Sequence, residues 1–161
     1  KSTGEVMGLG DSFDEAFAKA SLAIGERLPS SGTVFMSVRD VDKAGAIQVA
    51  RDLIDVGFKL VATTGTAKAL RAEGIEVERV NKVGEGRPHI VDAIKNGQVQ
   101  LIINTTEGRK AVSDSAQIRQ SALQTKVAYT TTLAGGEAFC RAIRFGPERT
   151  VRRLQDLHAG K

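Results

Sequence analysis

A chain of 161 residues with 41% hydrophobic and 26% charged residues suits one compact globular domain with a short terminal appendage, large enough to fold without disulfide or metal. Its net charge of +4 comes from interspersed basic and acidic side chains, and with one Tyr and no Trp no aromatic stacking platform for single-stranded nucleic acid is evident. No apolar run approaches the ~20 residues of a membrane span, and the polar start Lys1-Ser2-Thr3-Gly4-Glu5 has no signal-peptide core.

The elements follow in chain order. Val6 to Leu9 reads as a short strand or an ordered lead-in. Ser12 with Glu15 makes a capping-box pattern that opens a helix with Phe13, Phe17, Ala20 and Ile24 at helical spacing. Pro29-Ser30-Ser31-Gly32 is the clearest linker signal. Thr33 to Val38 is an apolar run suited to a strand buried on both faces. Ala44, Ile47, Ala50 and Ile54 mark the next helix, which stops near Gly57.

Phe58 to Ala62 is a second core strand, followed by a helix over Thr66 to Glu73. Ile75, Val77 and Val80 suggest a more polar third strand near an edge. Asn81 to Pro88 has the composition of a loop, and Ile90 to Lys95 is a brief helix. Val99 to Ile103 is the fourth strand, and a polar loop over Asn104 to Ser113 leads to a helix at Ala116 to Gln124. Lys126 to Tyr129 is the fifth strand and Thr131 to Arg144 a helix. Gly146-Pro147 then breaks the chain before a last helix at about Glu148 to His158, whose basic cluster Arg149–Arg153 reads as a solvated face.

This alternation predicts an α/β fold of three layers: a mostly parallel five-stranded sheet with helices on both faces. Every strand's C-terminal end then lies on one edge, where ligands bind in such folds. That edge collects Ser37, Arg39, Asp40, Asp42 and Lys43 after the first core strand, and Thr63, Thr64, Gly65 and Thr66 after the second. The third adds Asn81 and Lys82, the fourth Asn104, Thr105, Thr106 and Arg109, and the fifth Thr130, Thr131 and Thr132. Hydroxyls, amides and lysines at a helix start suit a phosphate and a ribose.

Each piece has a plainer reading. Thr63–Thr66 is a helix cap or a ligand site, and Lys43 and Lys82 are surface lysines or phosphate partners. Asp40 and Asp42 are acid–base candidates or helix caps. Neither the P-loop nor the dinucleotide glycine pattern is present. His89 reads as a packing or capping residue and His158 as exposed, without metal-ligand spacing. Cys140 reads as a buried structural thiol, which favours a reducing, cytoplasmic setting.

The residues as a set resemble a known family. Ser2-Thr3-Gly4-Glu5-Val6-Met7-Gly8 resembles the end of the second synthetase half of the carbamoyl phosphate synthetase large subunit. The remainder resembles that subunit's C-terminal allosteric domain, of the methylglyoxal synthase-like fold. The likeness is carried by Ala62-Thr63-Thr64-Gly65-Thr66, Val80-Asn81-Lys82-Val83 with Glu85-Gly86-Arg87-Pro88-His89-Ile90, and Ile102-Ile103-Asn104-Thr105-Thr106. Ser113-Asp114-Ser115 and Tyr129-Thr130-Thr131-Thr132-Leu133 extend it. The division it implies is 1–30, synthetase end and linker helix, and 31–161, allosteric domain.

The resemblance implies a regulatory module that binds UMP as inhibitor and IMP as activator. Lys43, Thr63, Thr66 and Lys82 would hold the phosphate, with Ser37 close by, and Gly65 and Thr105 complete the effector-binding set. Asn104 and Thr106 would lie near ribose and phosphate, and Asp114 and Ser115 on a loop closing over the base. Tyr129 and Thr131 match contributors to an ornithine site at the interface with the synthetase half. The domain itself would need no cofactor, metal, nucleic acid or membrane, and it would make self-association contacts. Its parent would be a cytoplasmic ligase using ATP with Mg and K, paired with a glutaminase small subunit. A methylglyoxal synthase-like lyase acting on dihydroxyacetone phosphate is the alternative. Its catalytic Asp, however, aligns with Arg87 or Pro88 here. The related cyclohydrolase domain of purine synthesis shares the Thr/Gly turn but not the opening segment.

Overall fold

The computed structural model describes residues 3–25, 28–105, 109–146, 151 and 155, with the backbone alone for 109–113. Five strands form one all-parallel sheet: β1 (Gly32–Ser37), β2 (Phe58–Ala62), β3 (Glu78–Arg79), β4 (Leu101–Asn104) and β5 (Ala128–Thr130). Their spatial order is β3-β2-β1-β4-β5. The helices are α1 (Phe13–Ala23), α2 (Lys43–Asp55), α3 (Thr64–Ala72), α4 (Ile90–Lys95), α5 (Arg109–Thr125) and α6 (Leu133–Phe145). The α/β sandwich expected from the apolar runs is what forms.

Strand side chains alternate between faces, so β1 feeds two cores. Val34 and Met36 pack with Ala46, Val49, Leu53, Leu70 and Phe139 from α2, α3 and α6. Phe35 faces the other way, onto Ile90, Ile94, Ile118 and Ala122 from α4 and α5. Right-handed crossovers require this split. The chain moves outward from β1 to β2 to β3 with helices on one face, then reverses to β4 and β5 with helices on the other. At the α6 contact a Cβ on Gly136 would lie 2.8 Å from Ile103 Cδ1, so a larger residue there would push the end of the Ile103 side chain aside. No helix among the described residues is long and apolar enough to cross a membrane.

Several details differ from the expectation. On α2 the buried stripe is Ala46, Val49, Ala50 and Leu53, while Ala44 and Ile54 are exposed. On α1, capped by the Ser12 hydroxyl accepting from Glu15 N, Phe13 and Ile24 are also exposed. That helix lies on α6 rather than on the sheet. The Phe17 ring meets Phe139 edge-on at 5.6 Å, and Asp14 pairs with Arg141 at 2.6 Å.

β3 is only two residues long. The Arg71 guanidinium takes the Val77 carbonyl at 2.7 Å, so a side chain rather than a ladder satisfies that group. The segment 109–113 is the start of α5, not a loop, because Arg109-Lys110-Ala111-Val112 holds no helix breaker. The helix expected at 148–158 lies outside the described residues, apart from Val151 and Gln155.

Candidate functional site

Strand order reverses between β1 and β4. The loops leaving those two strands diverge and open a crevice at their C-terminal ends, the place where open α/β sheets bind ligands. A pocket of about 330 Å³ occupies it. Ser37, Arg39, Asp40, Thr63, Lys82, Asn104, Thr105, Asp114 and Ser115 supply its polar lining, and Phe35, Val83, Ile90 and Ile118 its apolar wall.

One side of this crevice has the chemistry of an anion site. Thr63 takes the extended N-cap conformation before α3 but makes no side-chain cap. Its hydroxyl turns instead toward Ser37 Oγ and Thr66 Oγ1, each 3.4 Å away. The first-turn N–H groups of α3 therefore have no capping side chain, and the helix dipole adds partial positive charge there. Gly65 keeps this end open: the nearest group to a Cβ built on it is Lys43 Nζ, at 3.5 Å. Lys43 opens α2 and lies 2.6 Å from Asp40 Oδ1. The Lys43 ammonium beside Asp40 holds its carboxyl below the ordinary carboxylate range, and the charge of Lys82 adds to the effect. Lys43 thus pairs with Asp40 beside an uncapped helix start, with the charge of Lys82 nearby.

The other side is an ordered polar network. Asn104 is buried, and its amide donates to Ser115 Oγ at 3.1 Å and Tyr129 Oη at 3.2 Å. Thr105 N–H donates to Ser37 O at 2.9 Å, which ties the two strand ends together. Arg39 N donates to Thr105 Oγ1 at 3.1 Å. Asp42 takes the Arg39 guanidinium at 2.7 Å, and with the Thr105 hydroxyl this bond keeps its carboxyl below the ordinary value. Asp40 and Asp42 are therefore ionised at neutral pH and hold no proton to give, nor does Asp42 cap α2 with its side chain.

Of the expected site residues, the structure brings Ser37, Thr63, Lys82, Asn104, Thr105, Asp114 and Ser115 onto the crevice. Lys43 and Gly65 sit together at the start of α3. Thr66 is buried and works inside the protein, accepting the Val38 N–H at 3.1 Å. Asp114 and Ser115 stand on α5, so the closing loop expected there is a helix. Tyr129 joins the pocket network through Asn104, with Arg119 5.7 Å over its ring. Thr131 is exposed beyond β5. Thr106 lies outside the described residues. Cys140 is buried, and burial, with Asp52 assisting, pushes its thiol up to about 12. His89 takes the N-cap position of α4, where its N–H donates to Asp92 at 3.0 Å.

Sequence reasoning missed Arg79. The sequence predicts a strand that runs through it to Val80, whereas Arg79 ends β3 and its side chain reaches Thr64 Oγ1 at 2.9 Å. The shortness of β3 was the missing signal.

A family model described as the MGS-like domain matches residues 45–131, from within α2 to just past β5. The chain belongs to that family. The carbamoyl phosphate synthase large chain of Pseudomonas putida is 66% identical to this chain over 160 residues, covering 99% of this chain and 15% of that protein. Those of Pseudomonas syringae pv. tomato and Pseudomonas aeruginosa are 65% and 64% identical with the same coverage. The chain thus spans about 15% of the length of these curated relatives. The crystal structure of ForH aligns with a TM-score of 0.46 at 18% identity, over 72% of this chain and 91% of that chain, too loose a likeness to bear on the site.

Proposed function

We propose that this MGS-like domain is the nucleotide-sensing regulatory unit of a carbamoyl phosphate synthase large chain. UMP, as inhibitor, and IMP, as activator, share the crevice between β1 and β4. The observation that carries this reading is the pairing of an uncapped α3 start, flanked by Lys43 and Lys82, with an apolar wall of Phe35, Ile90 and Ile118. The first suits a phosphate and the second a flat base, and a volume of about 330 Å³ lies in the range of small-ligand pockets. Asn104, held by two hydroxyl partners, supplies a fixed polar edge for ribose.

The domain binds and does not transform. Asp40 and Asp42 are each tied up in a charge pair, with Lys43 and with Arg39, and the Cys140 thiol is buried with a pKa raised to about 12. Regulation follows only if the two nucleotides favour different states of the whole protein. That parent would make carbamoyl phosphate from glutamine or ammonia, bicarbonate and ATP for pyrimidine and arginine synthesis. Its ATP, Mg and K sites and its glutaminase partner lie in other chain segments or subunits. Tyr129 and Thr131 face an ornithine site completed by the synthetase half.

Ligand-induced stabilisation tests the binding step. A ligand at about 100 times its Kd stabilises the fold by about 2.7 kcal/mol, so millimolar UMP or IMP should raise Tm by several degrees. An unmoved Tm with both nucleotides would sink the proposal.

A further inference from the structure

The Arg79 guanidinium links two segments that border the crevice, the start of α3 and the loop that carries Lys82. Its Nε donates to Thr64 Oγ1 at 2.9 Å, on the first turn of α3. Its Nη2 donates to Asn81 Oδ1, also at 2.9 Å, where the loop carrying Lys82 begins. Asn81 closes that loop on itself, with its Nδ2 3.3 Å from Pro88 O. Glu85 lies 4.0 Å from Arg79 and accepts the Lys82 N–H at 3.1 Å. The backbone of Lys82 is therefore braced against α3 through one planar, two-pronged donor.

Arg79 is half-exposed and Glu85 more than a third exposed, and exposed ion pairs contribute little to stability. A fork that satisfies acceptors on two separate segments instead fixes geometry, which a lysine cannot reproduce. Placement matters here, because the Lys82 ammonium and the α3 amides must meet the same phosphate.

We propose that Arg79 is a positioning residue for the effector phosphate, tying the loop that carries Lys82 to the first turn of α3. Arg79 acts through Lys82 and does not itself touch the ligand. This rests on the nucleotide-binding reading above and names the residue that tunes that site.

The test is a set of UMP affinities for the chain with Arg79→Leu, Arg79→Lys and Thr64→Val, alone and combined with Lys82→Met. Far-UV circular dichroism and Tm certify that each variant is folded. Each single substitution is expected to weaken UMP about five- to tenfold, Arg79→Lys included because it keeps the charge but loses the fork. In the Lys82→Met background the same substitutions should change affinity less than twofold. Equal losses in both backgrounds, with Arg79→Lys near normal, would overturn the proposal and make Arg79 a direct cationic contact. Unchanged affinity in Arg79→Leu would also overturn it. Absence of UMP binding by the unsubstituted chain removes the functional reading itself, a separate outcome.

Discussion

Ser37 and Asn104 face each other in register across β1 and β4, the strand pair at which the sheet order reverses. The next residue, Thr105, donates its N–H to the Ser37 carbonyl, so the ladder runs to the lip of the crevice before the chains part. A hydroxyl and an amide are thereby fixed on one floor, with α3 on one side and α5 on the other. The floor of the site is built on paired strand ends, which limits the reorganisation that a ligand must drive there.

Gly65→Ala separates binding from folding. The position is helical and a Cβ meets only Lys43 Nζ, at 3.5 Å. Alanine in the helix should stabilise the fold by up to about 0.5–1 kcal/mol. The methyl group would nevertheless stand between the first-turn amides and an approaching phosphate. Denaturant midpoints should hold or rise, while UMP affinity falls about tenfold or more.

Asp40→Asn should strengthen anion binding. Asp40 competes with a phosphate for Lys43, which it holds at 2.6 Å, and its charge repels the same anion. Removing that charge is expected to tighten UMP several-fold at low salt, with the gain shrinking as ionic strength rises. Lys43→Met should weaken UMP about tenfold, the loss of a charge-assisted bond. Titrations at two salt concentrations read both effects.

The pH profile of binding follows the ligand. Asp40 and Asp42 have pKa values lowered by Lys43 and Arg39, so the stability they lend is whole above pH ~4 and fades only as pH falls below it. A nucleoside monophosphate loses its second charge near pH ~6. Affinity should therefore fall severalfold from pH 7.5 to pH 5.5, while Tm of the ligand-free chain stays nearly level across that window. Binding isotherms and melts over the same buffers check the pair of expectations.

Thr66→Val is a stability lesion beside the site. The Thr66 hydroxyl accepts the buried Val38 N–H at 3.1 Å, and valine leaves that donor unpaired. The cost should be about 1–3 kcal/mol in chemical denaturation. Any loss of UMP affinity should then be smaller than that of Lys82→Met.

The fold was legible because buried parallel strands are apolar runs, and four of them stand out between helices that end at glycine. Helix phase was less legible. On α2 the sequence offers Ala44, Ile47, Ala50 and Ile54 as readily as Ala46, Val49, Ala50 and Leu53, and only the sheet decides between them. The polar residues of the site were found from a topological rule, that strand ends converge, which needs no side-chain detail. What the sequence hid was hydrogen-bond direction. That Thr66 and Thr105 spend their hydroxyls on the backbone at Val38 and Arg39 depends on register. The role of Arg79 was hidden likewise, because it depends on β3 stopping at two residues.

The central claim, that UMP and IMP use one phosphate cradle at the start of α3, is tested most directly by displacement calorimetry. Titrating IMP into the chain alone, into the chain saturated with UMP, and into Lys82→Met separates the cases. The account predicts saturable 1:1 heats, an apparent IMP Kd that rises in proportion to UMP, and at least tenfold weakening in Lys82→Met. IMP heats that are absent, or unchanged by saturating UMP, would contradict it.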